Sequence, residues 1–150
     1  MKTIMMNMIR ILNKDKVVVL DKVKKYGWEG LTFPGGKVED FETLEQAAIR
    51  EAKEETNLDI LDLSQDGIII WYDYDRDERL VGILYTAKSF KGDLNPINRE
   101  GRLYFQNYEE FKKEEKKSAS MDDILSIYDG KYKEVCLYYK NDKLIESRRN

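Results

Sequence analysis

Residues 42–56 form a stretch with neither glycine nor proline, and this stretch follows a break at Pro34, Gly35 and Gly36. Most of its residues are strong helix formers, so the stretch predicts one long helix. Apolar, β-branched runs on both sides of it predict strands. The predicted strands are 3–12, 16–21, 31–33, 60–63, 67–74, 80–90, 102–105, 134–139 and 143–146. Mixed strands with helices between them indicate an α/β or α+β sandwich.

Two segments of the C-terminal third differ in pattern from these strands. Residues 120–129 predict a second helix, capped by Ser120 and ended by Gly130. The charged stretch 108–117 predicts a solvated helix or loop, and a lid over a ligand site is the alternative. No repeat or linker interrupts the chain, so residues 1–150 are expected to form a single domain.

Charge and hydropathy limit the partners that the sequence predicts. Lys and Arg number 26 and Asp and Glu number 29, a formal net charge of -3, so composition supplies no basic surface for a nucleic acid polymer. No apolar run approaches the roughly 20 residues of a membrane-spanning helix, and the N-terminus lacks the pattern of a signal peptide. The single cysteine, Cys136, cannot form an intrachain disulfide. We therefore expect a soluble, cytoplasmic protein without a membrane partner; the sequence leaves a homodimer open.

The chain contains no histidine, which removes Ser-His-Asp triads, His-ligated zinc and an imidazole general base. On the predicted helix, one narrow face carries Leu44, Ala47 and Ala48, and the same face continues with three carboxylates. These carboxylates are Glu51, Glu54 and Glu55. Like charges at this spacing repel each other, and burial adds to the cost. The pattern therefore favours a divalent cation over a solvated face.

The segment GKVEDFETLEQAAIREAKEETNL resembles the Nudix box, G-x5-E-x7-R-E-U-x-E-E-x-G-U, in which U is aliphatic. Asn57 stands where the pattern has glycine. This position ends the helix, and asparagine tolerates the left-handed conformation next best after glycine. The chain is also similar to MutT-like members of the family in LTFPGGK and in Glu100-Gly101. The residues that match the box are Gly36, Glu42, Arg50, Glu51, Glu54, Glu55 and Leu58.

The resemblance implies the Nudix fold, a mixed sheet between helices, and a hydrolase that cleaves nucleoside diphosphates linked to another group. Its metal ligands would be the backbone carbonyl of Gly35 and the carboxylates of Glu51, Glu54 and Glu55. Mg²⁺ is the expected ion and Mn²⁺ the alternative. Glu100 matches a further acidic position that approaches the metals, and a solvated turn residue is its other interpretation.

The resemblance also implies catalytic and supporting roles on the same helix. The proton acceptor is expected among the carboxylates, with Glu51 and Glu54 favoured. Arg50 would point away from the carboxylate face and pair with Glu42, which would support the geometry of the loop and the helix.

Three residues are expected to contact a small-molecule nucleotide substrate. Lys22 lies where the MutT pattern has an arginine that touches the base, although lysine lacks the planar fork of arginine. Phe33 lies where the base packs, and an ordinary core aromatic is its other interpretation. Gly36 lets the backbone approach closely. Tyr26 and Trp28, in the loop before Phe33, would cover the base or plug the core.

The resemblance favours hydrolysis of a nucleoside triphosphate, such as 8-oxo-dGTP, to the monophosphate and pyrophosphate. A pyrophosphatase of ADP-ribose or another nucleotide sugar is the alternative within the same chemistry. A Nudix-fold module that binds nucleotides without hydrolysing them is the alternative from another class. The complete set of box carboxylates argues against that module.

Overall fold

A computed structural model describes residues 1–23 and 29–150. Their strands join in one ten-stranded sheet. The strands are β1 (Lys2–Asn13), β2 (Lys16–Lys22), β3 (Gly30–Thr32), β4 (Gly35–Lys37), β5 (Asp59–Asp73), β6 (Glu78–Lys91), β7 (Ile97–Asn98), β8 (Gly101–Asn107), β9 (Glu134–Lys140) and β10 (Lys143–Arg149). The helices are α1 (Leu44–Thr56), α2 (Tyr108–Lys112) and α3 (Met121–Tyr128).

The sheet is mixed, as the sequence predicted. Its main path runs β10-β9-β5-β6-β1-β2-β8-β7, with β3 added to β2 and β4 added to β1. The pairs β1–β6 and β5–β9 are parallel. The other pairs are antiparallel. β1 pairs with β6 along most of its length and with β2 at its end, so it joins the two halves of the sheet.

Two apolar cores cover the two faces of this sheet. Successive residues of a strand point to opposite faces, so Val17 and Val19 of β2 join the core of α3, whereas Val18 and Leu20 join the core of α1. α1 contributes small residues, such as Ala48, to its core, and these let the helix lie close to the strands. The Nudix-type arrangement of a mixed sheet between helices is confirmed.

α1 begins at Leu44, later than the predicted start at Glu42. Thr43 forms a capping box with Gln46, in which each side chain accepts the backbone N–H of the other residue. The predicted start was wrong because helix propensity alone does not locate a cap. At the other end, Asn57 has a φ of 71° and adopts the predicted left-handed conformation.

Three other elements differ from the prediction. The predicted strands 60–63 and 67–74 form one strand, β5, because a bulge between Gln65 and Gly67 keeps both parts paired with β6. The predicted break at residues 34–36 contains β4, which pairs with β1. The Ser120 side chain makes no capping hydrogen bond; its Oγ instead accepts the indole N–H of Trp71 at 2.9 Å.

The charged stretch 108–117 contains the short helix α2. Its Phe111 is fully buried and stacks on Phe33 with 5.0 Å between the ring centroids. This aromatic contact anchors the stretch to the core, so it is neither wholly solvated nor a lid. No helix within residues 1–23 and 29–150 is long and apolar enough to cross a membrane.

Candidate active site

α1 presents its three carboxylates unequally. The Glu51 side chain is only 15% exposed, whereas that of Glu54 is 59% exposed. Glu55 is largely buried, and its carboxylate accepts the N–H of Gly35 at 3.4 Å. Glu51 and Glu55 therefore continue the inward face of the helix. Glu54 lies at the exposed edge of that face and, like Glu51, accepts a hydrogen bond from Arg50.

Arg50 donates hydrogen bonds to three carboxylates and one carbonyl, and it lies 3.7 Å from a fourth carboxylate, that of Glu39. Its Nε and Nη2 each donate to Glu42 at 2.8 Å, which forms the predicted pair. Its Nη1 donates to Glu51 at 3.0 Å and to Glu54 at 3.2 Å, and Nη2 also donates to the Lys37 carbonyl at 3.0 Å. Arg50 therefore does not point away from the carboxylate face. Because its side chain is long, it reaches both the loop before α1 and the carboxylates.

Gly35 and Gly36 bring the backbone of β4 close to both β1 and α1. A side chain at Gly36 would overlap the Glu51 carboxylate, and one at Gly35 would overlap the Asn7 carbonyl. The Gly36 N–H donates to Oδ1 of Asn7 at 3.1 Å. Glycine is required at position 35, where an added Cβ would meet backbone, whereas at position 36 the end of the Glu51 side chain would have to move.

Glu100 enters the site from the turn between β7 and β8. Asn98 holds this turn: its Oδ1 accepts the N–H of Glu100 at 2.8 Å, and its Nδ2 donates to the Glu55 carbonyl at 3.1 Å. The Glu100 carboxylate lies beside that of Glu55 and 3.6 Å from the Lys22 ammonium. The structure thus brings Glu100 to the carboxylates of α1, not to a solvated turn.

Burial and neighbouring charges set the protonation of these carboxylates. Burial raises the pKa of Glu55, and the neighbouring Glu100 and Glu51 carboxylates raise it further. Burial also raises the pKa of Glu51, against the opposing effect of Arg50. In contrast, hydrogen bonds from Arg50 hold the pKa of Glu42 at about 2. Inward-facing carboxylates that are costly to ionise are groups that a bound cation would stabilise.

Within the described residues, no group of three or more His, Cys, Asp or Glu side chains is arranged so that it could hold a metal ion. Arg50 accounts for part of this arrangement, because its Nη1 occupies oxygens of both Glu51 and Glu54. The donor set nevertheless suits a hard divalent cation, since Glu51, Glu55 and Glu100 supply carboxylate oxygens beside the partly exposed backbone of Gly35 and Gly36.

A cavity of about 860 Å³ opens over these groups. Phe33 also lines the cavity, but it is 2% exposed, and its ring packs against Phe111 and Tyr128. Phe33 is therefore a core aromatic with little surface left for a base. Of the predicted site residues, the cavity is lined by Lys22, Phe33, Gly35, Gly36, Arg50, Glu51, Glu54, Glu55 and Glu100.

A second cavity of about 210 Å³ adjoins the first, and Met8 and Trp71 line both. The Trp71 ring lies against Gly82, where an added Cβ would come within 3.1 Å of the indole. Its N–H donates to Ser120, so the ring is held from two sides. Trp71 is thus a fixed aromatic wall between the two cavities.

Comparison with known proteins identifies the family. The sequence matches the NUDIX domain family over residues 1–126. The chain belongs to the Nudix family. Members of this family act on small nucleotide substrates and generally use divalent metal ions such as Mg²⁺.

Of two curated relatives of this Nudix chain, one has a name that states a substrate and the other does not. The uncharacterized Nudix hydrolase YvcI of Bacillus subtilis is 29% identical over 96 residues, 62% of this chain and 59% of YvcI. The ADP-ribose pyrophosphatase of Methanocaldococcus jannaschii is 35% identical over 85 residues, 56% of this chain and 50% of that protein. The chain thus spans about half the length of the curated relatives it matches.

A solved structure shows the same Nudix fold along nearly the whole chain. The mutator MutT protein from Bacillus halodurans superposes with a TM-score of 0.81 at 21% identity, over 98% of this chain and 97% of that protein. At this identity, the likeness establishes the fold.

Three residues that line the larger cavity were not singled out from the sequence. Asn7 could have been found from the sequence, because its polar side chain interrupts an apolar stretch. The structure shows that this side chain is buried. Asn98 could not have been found in this way, because its contact joins a turn to a helix 43 residues away. Trp71 resembled an ordinary strand aromatic. Tyr26 and Trp28, predicted to cover the base or plug the core, lie outside the described residues.

We expect the metal-free Nudix protein to lose stability as the pH rises from about 4.5, the ordinary pKa of Glu55, to about 9, its pKa in the folded protein. Burial beside Glu100 raises the pKa of Glu55 above its unfolded value, so the folded protein holds that proton more tightly. This contribution is complete below the unfolded carboxyl pKa and is lost as the pH rises toward the folded value. Thermal unfolding in chelator measures it. An unfolding midpoint that rises across this range would oppose the electrostatic assignment.

Proposed function

We propose that this Nudix protein hydrolyses a nucleoside triphosphate, such as 8-oxo-dGTP, to the monophosphate and pyrophosphate. The observation that carries this proposal is the convergence of Glu51, Glu55 and Glu100 in one cavity, beside the backbone of Gly35 and Gly36. An acidic cluster alone would repel a polyphosphate. Together with a divalent ion, it becomes a site for one.

The described residues fit Mg²⁺, with Mn²⁺ as the alternative ion. The carboxylates of Glu51, Glu54, Glu55 and Glu100 would hold it, together with the Gly35 carbonyl. The raised pKa of Glu55 supports this assignment, because ionisation there is costly without a cation. When bound, the ion neutralises phosphate charge and lowers the pKa of coordinated water.

Residues of the chain itself would accept the proton and hold the carboxylates in position. Glu51 and Glu54 are the candidates for accepting the proton of the attacking water, since no imidazole is present. Arg50 contacts both carboxylates through one nitrogen and holds the loop before α1 through Glu42. We assign Arg50 a positioning role on this basis.

The two adjoining cavities support a substrate that joins a polyphosphate to a ring system. Trp71 offers a flat apolar wall at their boundary, and such walls suit nucleobases. The burial of Phe33 makes Trp71 the better candidate for this contact. Lys22 and Gly36 line the larger cavity and remain proposed substrate contacts.

ADP-ribose is the second candidate substrate. The ADP-ribose pyrophosphatase of Methanocaldococcus jannaschii, 35% identical over 85 residues, favours it. Both candidates require the same attack on a diphosphate linkage, so the acidic face serves either one.

We also propose that residues 1–150 form one domain. The segment after the family match supplies β9 and β10, where β9 pairs with β5 and β10 pairs with β9. These strands extend the sheet that carries the site.

A substrate panel tests the proposed function. We expect hydrolysis of 8-oxo-dGTP with a higher kcat/KM than dGTP, the other dNTPs or ADP-ribose, with monophosphate and pyrophosphate as products. Chromatography of the products in Mg²⁺ buffer measures each rate. Fastest turnover of ADP-ribose would favour the second candidate. Nucleotide binding without turnover of any panel member would favour a non-hydrolytic Nudix-fold module.

A further inference from the structure

Asn7 is a buried polar residue in the middle of β1 that lines the larger cavity. It pairs with Gly36 of β4 across the strands and is 5% exposed. Its neighbours along β1 are apolar methionines. A polar side chain in such a place costs free energy unless it has partners, so its hydrogen bonds are informative.

The orientation of the Asn7 amide is fixed by one of those bonds. Its Oδ1 accepts the Gly36 N–H at 3.1 Å, and only the oxygen of the amide can accept. The opposite atom, Nδ2, is therefore a donor. It is buried and has no hydrogen-bond partner within residues 1–23 and 29–150. A buried donor without an acceptor among the described residues, in a side chain that lines a cavity, indicates an acceptor that those residues do not supply.

The chemistry of the cavity limits which group can accept a hydrogen bond from Nδ2 of Asn7. An NH₂ donor needs a lone pair on oxygen or nitrogen as its acceptor, which excludes a metal ion or an aliphatic group as its partner. Glu51 is adjacent, since a side chain at Gly36 would overlap its carboxylate, but Glu51 accepts from Arg50 and makes no hydrogen bond with Asn7. Glu55 accepts from Gly35. An oxygen of the diphosphate is the acceptor that the loaded site would bring.

We propose that Asn7 is a substrate-binding residue whose Nδ2 donates to a phosphate oxygen of the diphosphate while its Oδ1 holds the Gly36 amide. This proposal rests on the proposed function, because it needs a diphosphate in the cavity. Through Asn7, β1 would contact the substrate directly, in addition to the residues of the Nudix box.

Nitrogen-15 NMR of the full chain tests this contact with Mg²⁺ and inorganic pyrophosphate as the probe. The side-chain NH₂ pair of Asn7 is identified as the pair that is missing from the Asn7→Asp spectrum. We expect this pair to shift and to exchange more slowly with solvent when pyrophosphate is added in Mg²⁺, and to change little with Mg²⁺ alone. A pair that stays unmoved while the Gly35 and Gly36 amides respond overturns the proposal and leaves the proposed function intact.

Binding affinity supplies a second test. Asn7→Asp keeps the acceptor for Gly36 and removes the donor, whereas Asn7→Leu removes both without adding charge. We expect both variants to fold and to bind Mg²⁺-pyrophosphate about 10-fold or more weakly by calorimetry. Asn13→Asp, an exposed change at the end of the same strand, should bind as the wild type does.

A purely structural role for Asn7 gives another pattern. The acceptor would then be sufficient, so wild-type affinity in Asn7→Asp together with weak binding in Asn7→Leu overturns the proposal. Absence of pyrophosphate binding to the wild type, with every amide unmoved, would overturn both this contact and the proposed function.

Discussion

Replacement of Glu55 by glutamine is expected to lower hydrolysis by about 100-fold or more. Changes of residues that only support metal ligands cost up to about 100-fold in activity, so loss of a ligand should cost at least as much. Glutamine keeps the shape of the side chain and an acceptor for the Gly35 N–H. The variant therefore removes charge and little else.

The same Glu55→Gln variant is expected to be more stable than the wild type when metal is absent. Glu55 lies beside Glu100 and is costly to ionise, so loss of its charge should raise the free energy of unfolding by about 1 kcal/mol at about pH 8. Steady-state kinetics and thermal unfolding in chelator measure the two effects. Glu45→Gln, on the exposed side of the same helix, is the matched control and should change neither. Full activity in Glu55→Gln would remove Glu55 from the metal site.

Replacement of Arg50 by methionine is expected to lower kcat by about 10- to 100-fold. Arg50 is the hydrogen-bond partner of Glu42, Glu51 and Glu54, so its loss frees the proposed catalytic carboxylates and the loop before α1 together. Arg50 also lowers the pKa of Glu51. The acidic limb of the pH–rate profile should therefore move to higher pH in Arg50→Met.

A lysine at this position should not restore activity. Lysine has no planar fork and cannot bind Glu42 with two nitrogens, as Arg50 does. Lys53→Met is the matched control, because Lys53 lies on the same helix but pairs with Asp59 and the Asn57 carbonyl. A pH–rate profile that stays in place in Arg50→Met would show that Arg50 supports the fold without tuning Glu51.

Local sequence determined the parts of the site that lie within one element. The helix after Gly36, its carboxylates and the left-handed Asn57 depend on contacts over a few residues, so periodicity and capping rules found them. The start at Leu44 was missed because the Thr43–Gln46 capping box competes with the helix propensity of Glu42.

Parts of the site that depend on distant pairing could not be predicted from local patterns, and the position of Glu100 near the α1 carboxylates followed only from the family resemblance. Glu100 reaches Glu55 only because Asn98 ties its turn to α1, and no local pattern records that contact. The exposure of Glu54 depends on the reach of Arg50. Phe33 is a core residue because Phe111, far along the chain, stacks on it. These outcomes follow from how β1, β2 and β8 align in the sheet.

The measurement that tests the proposed function most directly is turnover of the best panel nucleotide while Mg²⁺ is titrated into chelator-treated protein. Wild type and Glu55→Gln are compared at each concentration. The proposed metal site on α1 predicts no product in chelator, a rise in monophosphate and pyrophosphate that saturates with Mg²⁺ in the wild type, and little product at any concentration in Glu55→Gln. Equal turnover with and without Mg²⁺, or equal turnover in the two proteins, would contradict hydrolysis at this acidic face.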